Sequence, residues 1–107
     1  MKTIPLKKVQ MKRPDGVDMT LSYWVQLQTT MRTPMDVQQG ANVDEIRKSI
    51  RILDALDKAG EDAEFFELED TDFEYMADKV KASRFTFADP AIVQFVDDVT
   101  DVEDDAL

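Results

Sequence analysis

Hydrophobic and polar positions along this chain change period several times, and each change marks an element. Thr3 to Met11 alternates as a strand, with Pro5 near its start, where a missing amide proton matters least. Its parity breaks midway: Ile4 and Leu6 share one face, Val9 and Met11 the other. A bulge between the pairs, or burial on both faces, reconciles them. Lys12-Arg13-Pro14-Asp15-Gly16 carries turn chemistry, proline presetting one dihedral and glycine accepting a positive one. The return through Val17, Met19 and Leu21 alternates strictly, which predicts a β-hairpin.

Beyond Leu21 two periods compete. Alternation continues through Tyr23, Val25 and Leu27, whereas Tyr23, Trp24, Leu27 and Met31 share one helical face. A strand would leave Trp24 on the exposed side. A helix from about Ser22 to Arg32 buries it beside Leu27 and is the preferred reading. Thr33-Pro34 ends that element, since the residue before proline disfavours helical geometry. Met35 to Ala41 reads as a connecting loop.

Asn42 and Thr71 each precede a glutamate by three residues, Glu45 and Glu74, the spacing of a capping box. The first helix they predict runs to Gly60, with Ile46, Ile50, Leu53 and Leu56 on one stripe and Val43 and Ile52 at its margins. Arg47, Lys48 and Arg51 line the other side. They suit either a basic recognition face or a solvated face paired with Asp44, Glu45 and Asp54, and the surface-helix pattern favours the latter. The second helix, Asp72 to Ala82, presents Phe73, Met76, Ala77 and Val80, with acids in its first turn and Lys79 and Lys81 in its last, which complements the helix dipole. Between the two lies Phe65-Phe66-Glu67-Leu68-Glu69-Asp70, either a short strand pairing with the hairpin or an extended docking segment. Arg84-Phe85-Thr86-Phe87 is a packed loop or a short strand. Asp89-Pro90 opens a last helix with Ile92, Phe95, Val96 and Val99 on its apolar face.

These elements make an α+β fold: an N-terminal β-hairpin, with or without a third short strand, packed against three or four short helices. A single domain spans residues 1–100, and residues 101–107 form an acidic tail expected to be disordered. The expected core is Leu6, Val17, Leu21, Trp24, Leu27, Ile46, Ile50, Leu53, Leu56, Phe66, Leu68, Phe73, Met76, Val80, Ile92, Phe95 and Val96.

Composition narrows the chemistry. With no cysteine and no histidine, thiolate nucleophiles, disulfides, the usual zinc ligands and the commonest general base are all excluded. Three glycines, Gly16, Gly40 and Gly60, cannot build a phosphate-binding loop. The acids from Asp97-Asp98 to Asp105 lack the central glycine and terminal bidentate glutamate of an EF-hand loop. No catalytic residue, cofactor or metal is expected, and the chain reads as non-enzymatic. The N-terminus lacks the apolar run of a signal peptide and no stretch approaches transmembrane length, which predicts a cytoplasmic protein without membrane contact.

The net charge of −10 is unevenly divided, +4 over residues 1–53 and −14 over residues 54–107. An acidic chain repels phosphates, so direct nucleic-acid binding is not expected. The acidic half can instead meet a basic protein partner, or the basic half of a second copy. Phe65, Phe66, Glu67, Glu69 and Asp70 are the candidate partner-docking residues.

Several stretches together resemble small acidic proteins encoded in the morphogenesis region of tailed phages and prophages. They are the Pro14-Asp15-Gly16 turn, Thr20-Leu21-Ser22-Tyr23 opening a helix that stops at Pro34, Ile52-Leu53-Asp54-Ala55-Leu56, Phe66-Glu67-Leu68-Glu69-Asp70-Thr71-Asp72-Phe73-Glu74-Tyr75, and Ile92-Val93-Gln94-Phe95-Val96-Asp97-Asp98-Val99. The resemblance implies a non-enzymatic assembly or accessory role near head, neck or tail, with phage structural proteins as partners and a place in the host cytoplasm or the virion. It carries over no functional residue. The alternative, from the charge alone, is a regulator that inhibits a nucleic-acid-binding host protein by phosphate mimicry.

Overall fold

A computed structural model describes residues 1–34, 38–85 and 88–102. Along them run β1 (Lys2–Pro5), β2 (Lys8–Lys12), β3 (Asp18–Ser22), α1 (Tyr23–Arg32), α2 (Val43–Ala59), β4 (Phe65–Leu68), α3 (Asp70–Ala82) and α4 (Pro90–Thr100), an α+β arrangement. The expectations for Met35 to Val37, Thr86-Phe87 and the tail from Glu103 fall outside the described residues.

The parity break near the N-terminus is a change of partner. β1 pairs antiparallel with β4, Ile4 opposite Phe66, and the Leu6 amide extends the pairing to the Glu64 carbonyl at 2.8 Å. One residue later the Lys7 carbonyl accepts from the Tyr23 amide at 2.9 Å, and the chain pairs with β3 instead, Val9 opposite Leu21. The bend moves the inward face from even to odd positions, so Ile4, Leu6 and Met11 are all buried. It also takes β1 out of the hairpin. The third strand therefore joins β1 and not the hairpin, giving two separate two-stranded sheets.

The hairpin turn closes through Arg13 and Val17, with Gly16 at φ 87°. Val17 lies just outside β3 on this turn and is exposed, contrary to its place in the expected core.

At Ser22 the helical period wins. The Ser22 hydroxyl accepts from the Val25 amide at 3.4 Å and caps α1. Tyr23 is then fully buried edge-on against Phe95, ring centroids 5.0 Å apart, and the Trp24 indole donates to the Leu56 carbonyl at 2.8 Å. Asn42 caps α2 through the Glu45 amide at 2.9 Å, and Gly60 ends that helix at φ 92°. Asp89 caps α4 through the Ala91 amide at 2.8 Å, with Pro90 in its first turn.

The second capping box does not form. α3 begins at Asp70, two residues before the expected start, and its flanking residue Glu69 makes no side-chain cap. Pairing of Leu68 with Lys2 holds the chain extended to that point, so it turns directly into the helix, the Phe73 amide bonding to the Glu69 carbonyl at 2.9 Å. Thr71 falls inside the first turn, where Asp70 and Asp72 supply the negative charge that this end favours.

Most of the expected core is found: Leu6, Leu21, Leu27, Leu56, Phe66, Leu68, Phe73, Met76, Val80 and Phe95 are buried. Trp24, Leu53, Ile92 and Val96 pack partly against them. Ile46 and Ile50 do not join. The inward face of α2 is Ser49, Ile52 and Leu56, because α1 and α3 both close on that side. Fully burying a side chain of leucine size is worth about 1.5–3 kcal/mol, and Ile52 takes that gain in place of Ile46 and Ile50.

Candidate interaction surface

The candidate docking segment separates into two faces because β4 alternates. Phe66 is 3% exposed and Leu68 4%, both pointing into the core. Phe65 is 54% exposed, on the outer side with Glu67. Across the strand pair Phe65 stands opposite Pro5, and Glu67 opposite Thr3. Glu64, Glu69 and Asp70 are exposed as well. Of the five docking candidates, Phe65, Glu67, Glu69 and Asp70 share the surface, and Phe66 belongs to the core.

The basic side of α2 is largely engaged within the molecule. Lys48 pairs with Asp44 one turn back at 3.4 Å and lies over the Tyr75 ring. Arg51 grips the buried Asp72 of α3 with Nε and Nη2, the shortest contact 2.8 Å. That hydrogen bond raises the already high Arg51 pKa further. The solvated, paired reading of this face therefore fits Lys48 and Arg51, with the partner of Arg51 coming from the neighbouring helix.

Between these helices lies a buried cation. Lys79 is 4% exposed, its ammonium donating to the Met31 carbonyl at 3.0 Å and to the Ser49 hydroxyl at 3.3 Å, with the Tyr75 ring 5.6 Å away. Burial lowers its pKa from the ordinary lysine value, and Glu45 nearby pulls in the other direction. The Tyr23 hydroxyl donates to Asp98 at 2.7 Å, and Lys7 approaches the same carboxylate at 3.4 Å. Burial first, and then that carboxylate, push the Tyr23 pKa upward.

Open clefts indent the surface among the described residues. One of about 340 Å³ is lined by Thr29, Thr30, Thr33, Ser83 and Arg84 together with Lys79, whose ammonium is held by Met31 and Ser49, neither of which lines the cleft. Another, about 230 Å³, lies between Trp24, Lys8 and the Glu61–Glu64 turn. Tyr23, Arg51 and Lys79, whose pKa values are displaced, are each tied to a structural partner and share no cleft. Among the described residues no group of three acids is placed to hold a metal ion.

The surface feature that the periodicity argument missed is on α2. Val43, Ile46 and Ile50 are 63%, 45% and 50% exposed, an apolar stripe facing outward. The signal was present in the 3-4-3 spacing of positions 43, 46, 50 and 53, but the same spacing also suits a core-facing stripe. Comparison of the chain with protein-family models, with curated proteins and with solved structures gave no match.

Proposed function

We propose that the chain is a non-enzymatic protein-protein interaction module, serving head-neck-tail assembly of a tailed phage or prophage or acting as an accessory protein there. The observation that carries this reading is Phe65, a large aromatic side chain left more than half exposed among the exposed acids Glu64, Glu67, Glu69 and Asp70. An aromatic anchor inside a charged rim suits docking: the ring supplies affinity on desolvation, and the acids steer a basic partner into register. Phage structural proteins are the proposed partners, met in the host cytoplasm or in the virion.

The test is affinity capture of the tagged chain from a phage-induced host, with wild type and Phe65→Ala in parallel. The docking reading expects a capsid, portal or tail protein that survives moderate salt and is lost with Phe65→Ala. Because Phe65 points outward, that variant keeps its fold, which thermal unfolding checks. A second reading is favoured by the charge of −14 over residues 54–107. Phosphate mimicry expects a nucleic-acid-binding protein that is indifferent to Phe65→Ala and released by moderate salt, since exposed charge pairs are screened over about 10 Å at 0.1 M.

A further inference from the structure

We propose that the outer edge of β4 accepts a third strand, an extended basic segment of a partner protein laid antiparallel beside Phe65 and Glu67. Resting on the docking reading, this gives the partner a conformation and a charge. The Leu6 amide bonds to the Glu64 carbonyl, and pairs along an antiparallel ladder alternate between bonded and non-bonded. Ile4 with Phe66 and Lys2 with Leu68 are therefore bonded pairs, and the backbones of Phe65 and Glu67 point away from β1. No third strand lies beyond β4 among the described residues, and none of them bonds to the amides or carbonyls of Phe65 and Glu67. An unpaired amide is costly away from water, and both residues are exposed, so this edge is wet and open. It offers two donors and two acceptors to an added strand. The opposite edge of the pair is a poorer template, since Pro5 has no amide to present there.

Side chains select the occupant. Residues directly opposite each other in the added pair share a face, so one partner side chain lies beside Phe65 and the one two positions earlier lies beside Glu67. An apolar residue suits the first place and lysine or arginine the second, in the order basic, any, apolar. Glu64 and Glu69 extend the acidic line. With Glu67 they are exposed and make no ion pair among the described residues, whereas Asp70 is taken by the N-terminal ammonium at 3.2 Å. A second copy of β4 would lay these same glutamates along their counterparts, like charge against like. The added strand is therefore basic, and it is not the β4 of another copy.

The probe is a blocked peptide of that pattern, acetyl-Lys-Thr-Val-Thr-Lys-Thr-Val-amide, added to the full chain and followed by amide hydrogen exchange. In the free chain the Phe65 and Glu67 amides exchange fast, while those of Phe66 and Leu68, bonded to β1, are protected. At saturation the Phe65 and Glu67 amides are expected to slow by at least about tenfold. Glu67→Gln, which loses the charge pair, is expected to weaken binding about threefold. Glu67→Pro, which also loses the outward amide, is expected to weaken it about thirtyfold. Proline there spares the ladder to β1, and thermal unfolding checks the fold; should that variant unfold, exchange in the wild-type chain decides. The same peptide with glutamate for lysine is expected not to bind, and equal binding overturns the basic occupant. A peptide that binds while both amides stay fast overturns strand addition, as does no binding at about millimolar peptide. The docking reading is judged separately, by whether Phe65→Ala loses the captured protein.

Discussion

Helices α2 and α3 pack against each other and sort their residues by opposite rules. α2 turns Val43, Ile46 and Ile50 toward solvent, whereas α3 draws Asp72 and Lys79 inside. The inversion is possible because each buried charge finds partners on the neighbouring elements: Asp72 takes the fork of Arg51, and Lys79 takes the Met31 carbonyl and the Ser49 hydroxyl. A buried ionic group is tolerable when its hydrogen bonds are made and costly when one side is removed. Met31 sits in the last turn of α1, where carbonyls lack helical partners and the dipole favours a cation. Lys79 therefore ties three helices together at one point. Which side of a helix is buried depends on where its neighbours close, and its own apolar count is a poor guide.

The largest effect expected from breaking this contrast is at Lys79. Lys79→Ala removes the aliphatic stem as well as the ammonium, leaving a void and an unpaired carbonyl at the end of α1. A loss of about 2–4 kcal/mol is expected in urea unfolding. Lys79→Met keeps the stem and loses only the donor, so its cost should be smaller, about 1–2 kcal/mol. Equal costs for the two would show that the bonds to Met31 and Ser49, and not the packing of the stem, hold this point, and a Lys79→Met variant as stable as wild type would show the reverse.

How much of this was legible can be judged at particular residues. The caps at Asn42 and Asp89, the stop at Gly60 and the Pro14-Asp15-Gly16 turn are local chemistry, and all stand where the sequence puts them. Residues 23–32 are helical because burying Tyr23 and Trp24 on one side outweighs continued alternation. What failed depends on distant parts of the chain. Thr71 lost its cap because pairing of Leu68 with Lys2, remote in sequence, holds the preceding residues. Ile46 and Ile50 look inward in the sequence because α2 carries two apolar stripes, and only the placement of α1 and α3 decides between them. Of the docking segment, the alternation already placed Phe66 with Leu68 in the core pattern, which leaves Phe65 for the surface.

A second buried polar group sharpens the contrast with the opposite sign in pH. The Tyr23 pKa is raised on folding, so its contribution is complete below the unfolded value of about 10 and is lost as pH rises beyond it. The Lys79 pKa is lowered, so its contribution grows as pH climbs from that lowered value toward the ordinary lysine range. Tyr23→Phe removes the first and leaves the second. It should cost about 1–2 kcal/mol at neutral pH through the lost bond to Asp98, and it should abolish the fall in stability above about pH 10. Urea midpoints across the alkaline range measure both. A Tyr23→Phe profile that still falls as steeply as wild type would assign the alkaline loss to another group.

The smallest effect is expected at the residues that look most like core in the sequence. Ile46→Ser and Ile50→Ser each replace a branched apolar side chain by a short polar one, a change that is severe at a buried site. Both stand about half exposed on the outer side of α2, so little apolar surface leaves a packed environment. Each should shift stability by no more than about 0.5 kcal/mol, measured by urea unfolding. A large loss would mean that α2 turns this stripe inward, and the contrast with α3 would disappear.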